Sequence, residues 1–144
     1  MKLSKKMEKE SARKEIEAIR EKIVGENILS LLKEDVKEDF SAQAPGDYLL
    51  ASVMAGIVFW DDEKNCLIQK LFKPLKSGEQ SREELHYKGD LNLGLLRDEN
   101  TPNEIAASIN VVSRLTGASK QLIEKLCYQD LSITQEITSF FFAR

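Results

Sequence analysis

The chain has 144 residues, 42% of them hydrophobic, with 21 basic and 24 acidic side chains and a formal charge of −3. That length holds one core rather than two full-sized domains, and the near balance of charge excludes a field able to gather nucleic acid by itself. Two cysteines, Cys66 and Cys127, and one histidine, His86, lack the spacing of a zinc site, so neither metal nor cofactor is expected.

Residues 1–40 carry ten basic and ten acidic side chains on a helical pattern. Ala12, Ile16, Ile19 and Ile23 recur at intervals of four, three and four, a narrow seam of the coiled-coil kind. Glu10 and Lys14 stand in the favourable i,i+4 order. A stripe so thin needs a surface to lie on. Two readings follow: a solvated amphipathic helix resting on its own domain, or an arm for docking and self-association. After Gly25 the apolar face restarts, denser, at Ile28, Leu29, Leu31 and Leu32. The N-terminus is charged, unlike a secretory leader, and a cytoplasmic, soluble protein is expected.

Residues 41–46 form a linker into a single small domain over 41–144. Asp47 is placed to cap a helix from Tyr48 to Met54, and from Gly56 the β-branched and aromatic run Ile57-Val58-Phe59-Trp60 reads as a strand. The competing reading is one continuous buried helix from Tyr48 to Phe59, which periodicity does not separate from the first. In either case the apolar run Tyr48–Trp60, of 13 residues, is too short to span a bilayer, so no membrane contact is expected. Asp61 to Asn65 is a polar turn, Cys66 to Phe72 the next strand, and Arg82 to Tyr87 the return after Ser77-Gly78. Pro74 has no N–H for a ladder and belongs at an edge or past the strand end. Residues 89–96 alternate and then run together, without a clear period.

The best-specified stretch is 101–142. Thr101, Pro102 and Glu104 make a helix start, Ile105, Ile109, Val112 and Leu115 follow at helical spacing, and Gly117 sits where a left-handed cap would end the helix. Leu122, Ile123 and Leu126 mark a short second helix, and Ile133, Ile137, Phe140 and Phe141 a third. The expected fold is α+β: a charged N-terminal helix, a small antiparallel hairpin or meander, and a C-terminal three-helix unit. Its core should hold Ile57, Leu67, Leu71, Leu85, Ile105, Ile109, Val112, Leu115, Leu122, Leu126, Ile133, Ile137 and Phe141.

No catalytic constellation stands out. His86 has no partner pattern, no Gly-rich loop precedes a basic residue, and Asp61-Asp62-Glu63 lacks the spacing of a calcium loop. Cys66 and Cys127 read as core thiols. Phe142 lies about 100° round from the apolar stripe, a second candidate contact residue beside the seam.

The run Ser113-Arg114-Leu115-Thr116-Gly117, the short helix Leu122–Leu126, the step Tyr128-Gln129-Asp130-Leu131 and a helix closing on Phe140-Phe141 resemble the C-terminal part of tail assembly chaperones of Mu-like long-tailed phages and prophages. Upstream, Lys73-Pro74-Leu75 with Gly78-Glu79 and Glu84-Leu85 resembles the hairpin of that family, so the likeness covers roughly residues 67–142. It implies a non-enzymatic protein that binds the tape-measure protein and tail-tube subunits during tail morphogenesis. The contact residues are then expected to be Ala12, Ile16, Ile19, Ile23 and Phe142, with self-association through the arm. The alternative is a helix-turn-helix regulator of a phage or mobile element. Against it, the last helix offers Gln129, Asp130, Gln135 and Glu136 but no Lys or Arg to a DNA groove.

Overall fold

The computed structural model describes residues 3–24, 45–88 and 104–142. Helix α1 spans Lys9–Val24 and α2 spans Asp47–Met54; strands β1 (Val58–Asp61), β2 (Cys66–Ser77) and β3 (Gln80–Lys88) follow. Then come α3 (Glu104–Thr116), the single turn α4 (Lys120–Ile123), α5 (Tyr128–Ile137) and a π turn over Thr138–Phe142. The fold is α+β. The strands make one antiparallel sheet in the order β1-β2-β3, and helices α2, α3, α4 and α5 pack against it.

Register explains which residues share a face. Val58 pairs with Gln69 and Trp60 with Leu67, while Leu67 faces Tyr87 and Gln69 faces Leu85. Side chains alternate along a strand, so these residues share one side, and Val58, Leu67, Gln69, Leu85 and Tyr87 are all buried there. Phe59, Ile68 and His86 share the other side, where Ile68 and Cys66 are buried as well.

Gly56 makes the change from helix to strand possible. Its φ of 75° is left-handed, and the N–H of Ile57 returns to the Ser52 carbonyl at 3.0 Å, closing α2 in one turn. The reading with a helix to Met54 and a strand from Ile57 is therefore the right one of the two. Gly117 does the same for α3 at φ 74°, as its place in the sequence suggested.

Several boundaries differ from expectation. Asp47 is the first helical residue rather than the cap, which is Gly46 and lends no side chain. Both hairpin strands run further toward the turn, to Ser77 and from Gln80. Pro74 lies inside β2 and not beyond it, because the register slips there: Lys70 pairs with Glu84, but the next matched pair is Leu75 with Arg82. Residues 71–74 thus bulge opposite a single residue, and a proline in a bulge costs no ladder bond. The last helix does not run regularly to its end; it widens at Thr138 into the π turn. Glu10 pairs with Arg13 at 3.1 Å rather than with Lys14. Ile109 and Leu126 are only partly buried; the rest of the expected core is buried, except Ile105, whose side chain lies outside the described residues. The Thr101–Pro102 helix start, residues 28–32 and residues 89–96 also lie outside them.

The N-terminal helix is not a separate arm within the described residues. Ala12, Ile16 and Ile19 are fully buried in the common core, against α2 and the C-terminal turn. The chain ahead of α1 is tied down as well, with the N–H groups of Lys6 and Met7 reaching the Met54 carbonyl at 2.7 and 3.2 Å. Arg20 places its guanidinium 4.9 Å from the centre of the Phe140 ring, and Lys22 lies over Trp60 at 5.8 Å. A seam of three fully buried apolar residues stabilises the whole domain. Ile16→Ala should therefore lower global unfolding free energy by about 2–5 kcal/mol, read by urea denaturation, with α1 and the sheet unfolding in one transition.

Candidate functional site

The residues offered by sequence as a docking seam are not available for docking. Ala12, Ile16 and Ile19 face the chain's own core, and Ile23 is packed at its margin. The reason is geometric: α2 and the C-terminal turn together present an apolar groove that a thin stripe fills. The Phe142 side chain lies outside the described residues; its neighbours Phe140 and Phe141 meet edge to face, 5.1 Å apart, in the core.

At the centre of the molecule is a polar knot that sequence reasoning missed. Asp130, in the first turn of α5, is fully buried. Its Oδ1 accepts the N–H of Phe72 at 2.9 Å, and its Oδ2 accepts the N–H of Lys73 at 3.1 Å and the Cys127 thiol at 3.2 Å. Phe72 and Lys73 belong to the bulge of β2, whose N–H groups have left the ladder. The carboxylate replaces their lost partners, and the N-terminal end of α5 favours its charge. One turn on, Thr134 donates to Gln69 Oε1 at 3.0 Å, Tyr87 donates to the same oxygen at 2.7 Å, and Gln69 Nε2 donates to the Asp130 carbonyl at 3.1 Å. Among the described residues no buried side-chain nitrogen or oxygen lacks a partner.

This knot holds structure and is poorly placed for chemistry. Gln69, Tyr87 and Asp130 are sealed from solvent, and the Asp130 oxygens already serve backbone and thiol donors. Burial pushes the Tyr87 hydroxyl well above its usual range and, on the opposite face of the sheet, pushes the Cys66 thiol up as well. Cys127, expected in the core, is half-buried instead, at the N-cap of α5. No three His, Cys, Asp or Glu side chains among the described residues gather as metal ligands. His86 meets Glu84 at 3.1 Å along β3.

The surface offers two places. One is an open cleft between the β2–β3 turn and the α3–α4 junction, lined by Ser81, Arg82, Arg114 and Ser119 among others. Arg82 is committed there: its guanidinium donates to the Thr116 and Gly117 carbonyls, both at 3.2 Å, and so finishes the C-terminus of α3. The other is an aromatic corner. Tyr128 is 75% exposed and Tyr48 40%, and their rings meet edge to face with centroids 6.4 Å apart. The two tyrosines sit in the first turns of α5 and α2. Glu136 fixes these helices together: its carboxylate accepts the N–H groups of Tyr48 at 3.3 Å and Leu49 at 2.9 Å, capping α2 across a separation of 88 residues. A Cβ at residue 46 would collide with that carboxylate, so Gly46 is what lets Glu136 in. The Tyr48 hydroxyl is held above its usual range, chiefly by the adjoining Tyr128 phenol.

Two outcomes test the knot. Asp130→Ala leaves two bulge N–H groups without an acceptor and should cost about 2–6 kcal/mol in urea denaturation, while Asp130→Asn, which keeps one acceptor oxygen, should cost less. Tyr87 is neutral when protonated, and its raised folded value means that only the unfolded chain ionises just above pH 10. Its contribution is therefore complete below pH 10 and is lost as pH rises beyond it, by up to about 1.4 kcal/mol per pH unit. Tyr87→Phe should flatten this alkaline fall in a denaturation series from pH 8 to 11.

In comparisons with known proteins, no family model, no curated protein and no solved structure matches this chain.

Proposed function

We propose that this chain works by binding protein, as a tail assembly chaperone of the kind that residues 67–142 resemble, with the tape-measure protein as client and tail-tube subunits as further partners. The observation that carries the reading is the Tyr48–Tyr128 corner. Two aromatic rings stand on the surface of helices locked by Glu136, where they add little to the core. Exposed tyrosine on a rigid frame is a common anchor at protein interfaces, since it covers area with few rotamers to immobilise. Among the described residues no helix is long and apolar enough to cross a membrane. The host cytoplasm is the compartment that goes with this reading. The seam of α1 is buried in the chain's own core and has no part in it.

Co-purification with a tape-measure fragment tests the proposal. The wild-type chain should retain the fragment, and Tyr48→Ser with Tyr128→Ser should lose most of it while keeping its circular dichroism spectrum and unfolding midpoint. Retention of duplex DNA with no retention of the fragment would instead favour a regulator.

A further inference from the structure

The aromatic corner has a charge to match. Asp47, exposed, directly precedes Tyr48 in the first turn of α2, and the half-buried Glu136 lies against the same turn, its carboxylate on the Tyr48 N–H. Neither carboxylate has a basic partner within ion-pairing distance among the described residues. The N-terminus of α2 contributes roughly half a positive charge, which offsets only part of two negative ones. Neither ring lies under a cation, although Phe140, Trp60 and Phe59 elsewhere in the molecule each do. The ring faces are themselves the negative side of an aromatic quadrupole. Two rings at 78°, with the carboxylates of Asp47 and Glu136 on the helix turn that carries one of them, therefore form a cation-accepting angle that nothing in the described chain fills.

We propose that the Tyr48–Tyr128 corner, with Asp47 and Glu136 at the helix turn that carries Tyr48, docks a basic side chain of the protein partner, with arginine preferred over lysine. A guanidinium can stack flat on one ring while its N–H fork reaches a carboxylate, whereas an ammonium offers a single point of charge. The partner is thus a protein that presents arginine at its surface. This rests on the protein-binding reading above and adds to it the chemistry of the contact.

The chain has three tyrosines, and the third supplies an internal control, because Tyr87 is fully buried. Deca-arginine is titrated into the full-length protein with ring-labelled tyrosine, followed by NMR, beside a neutral Gly-Ser peptide of equal length. The Tyr48 and Tyr128 resonances should shift with deca-arginine only, Tyr87 should stay still, and 0.5 M salt should weaken the binding about tenfold or more. Asp47→Asn should weaken it about threefold. Silent corner resonances, or equal shifts with the neutral peptide, overturn the proposal.

Capture of the tape-measure fragment separates this inference from the reading beneath it. Tyr48→Phe with Tyr128→Phe keeps the ring faces and should bind within about twofold of wild type. Tyr48→Leu with Tyr128→Leu keeps apolar bulk without them and should bind about tenfold more weakly. Equal capture by the leucine pair would sink the cation-docking inference and leave protein binding standing. Ring shifts with deca-arginine but no capture of the fragment would support the corner's chemistry and reject the chaperone.

Discussion

A single carboxylate decides how the layers of this protein meet. Strand β2 has to leave its ladder between Lys70 and Leu75, and the N–H groups so released would be costly if buried bare. Asp130 takes both, and it comes from the first turn of α5, the helix that lies on the sheet there. The bulge and the helix are therefore one unit: without the helix the strand has orphan donors, and without the bulge the acid has no reason to be inside. The Gln69–Tyr87–Thr134 triangle extends the same joint deeper along the sheet. Apolar packing gives this fold most of its driving force, but such packing is tolerant of sliding. Fixed hydrogen bonds at the joint set which turn of α5 faces which strand residue.

The same device recurs at other ends. Glu136 caps α2, Arg82 finishes α3, and the Lys125 ammonium donates to the Lys76 carbonyl at 3.0 Å near the hairpin turn. In each case a charged side chain serves backbone groups far from it in sequence. Local caps are scarcer: Ser119 accepts the Leu122 N–H at the head of α4, but neither Gly46 nor Cys127 lends a side chain to the helix it precedes. A molecule with short helices and remote caps depends on being assembled, since few of its parts are stable alone.

That dependence explains what could be read from sequence. Periodicity and punctuation are local, and they served well: the seam of α1, the switch at Gly56, the end of α3 at Gly117 and most of the core positions are visible in residue spacing. The direction in which the seam faces is a property of its neighbours, and composition left it open. Pro74 carried a usable hint. A proline amid strand-forming residues implies a bulge, and a bulge implies orphan donors, but no local pattern names Asp130 as their acceptor. Asp130 instead read as an ordinary polar residue on a helix face. The aromatic corner was equally hidden, because Tyr48 and Tyr128 are brought together only when α2 and α5 pack.

The contact of Arg20 with the Phe140 ring has a consequence for the order of events during synthesis. Helix α1 emerges from the ribosome early, yet part of the surface that receives it belongs to the C-terminal turn, which emerges after all the strands. Until then the Ile16 and Ile19 side chains have an unfinished groove, and a sixteen-residue helix has little reason to persist in water by itself. The hairpin pairs close partners and can form from nearby chain, whereas docking α1 closes a loop across most of the described residues, a slow step for entropic reasons. Until the C-terminal turn is made, the apolar stripe of α1 is covered only in part, by α2.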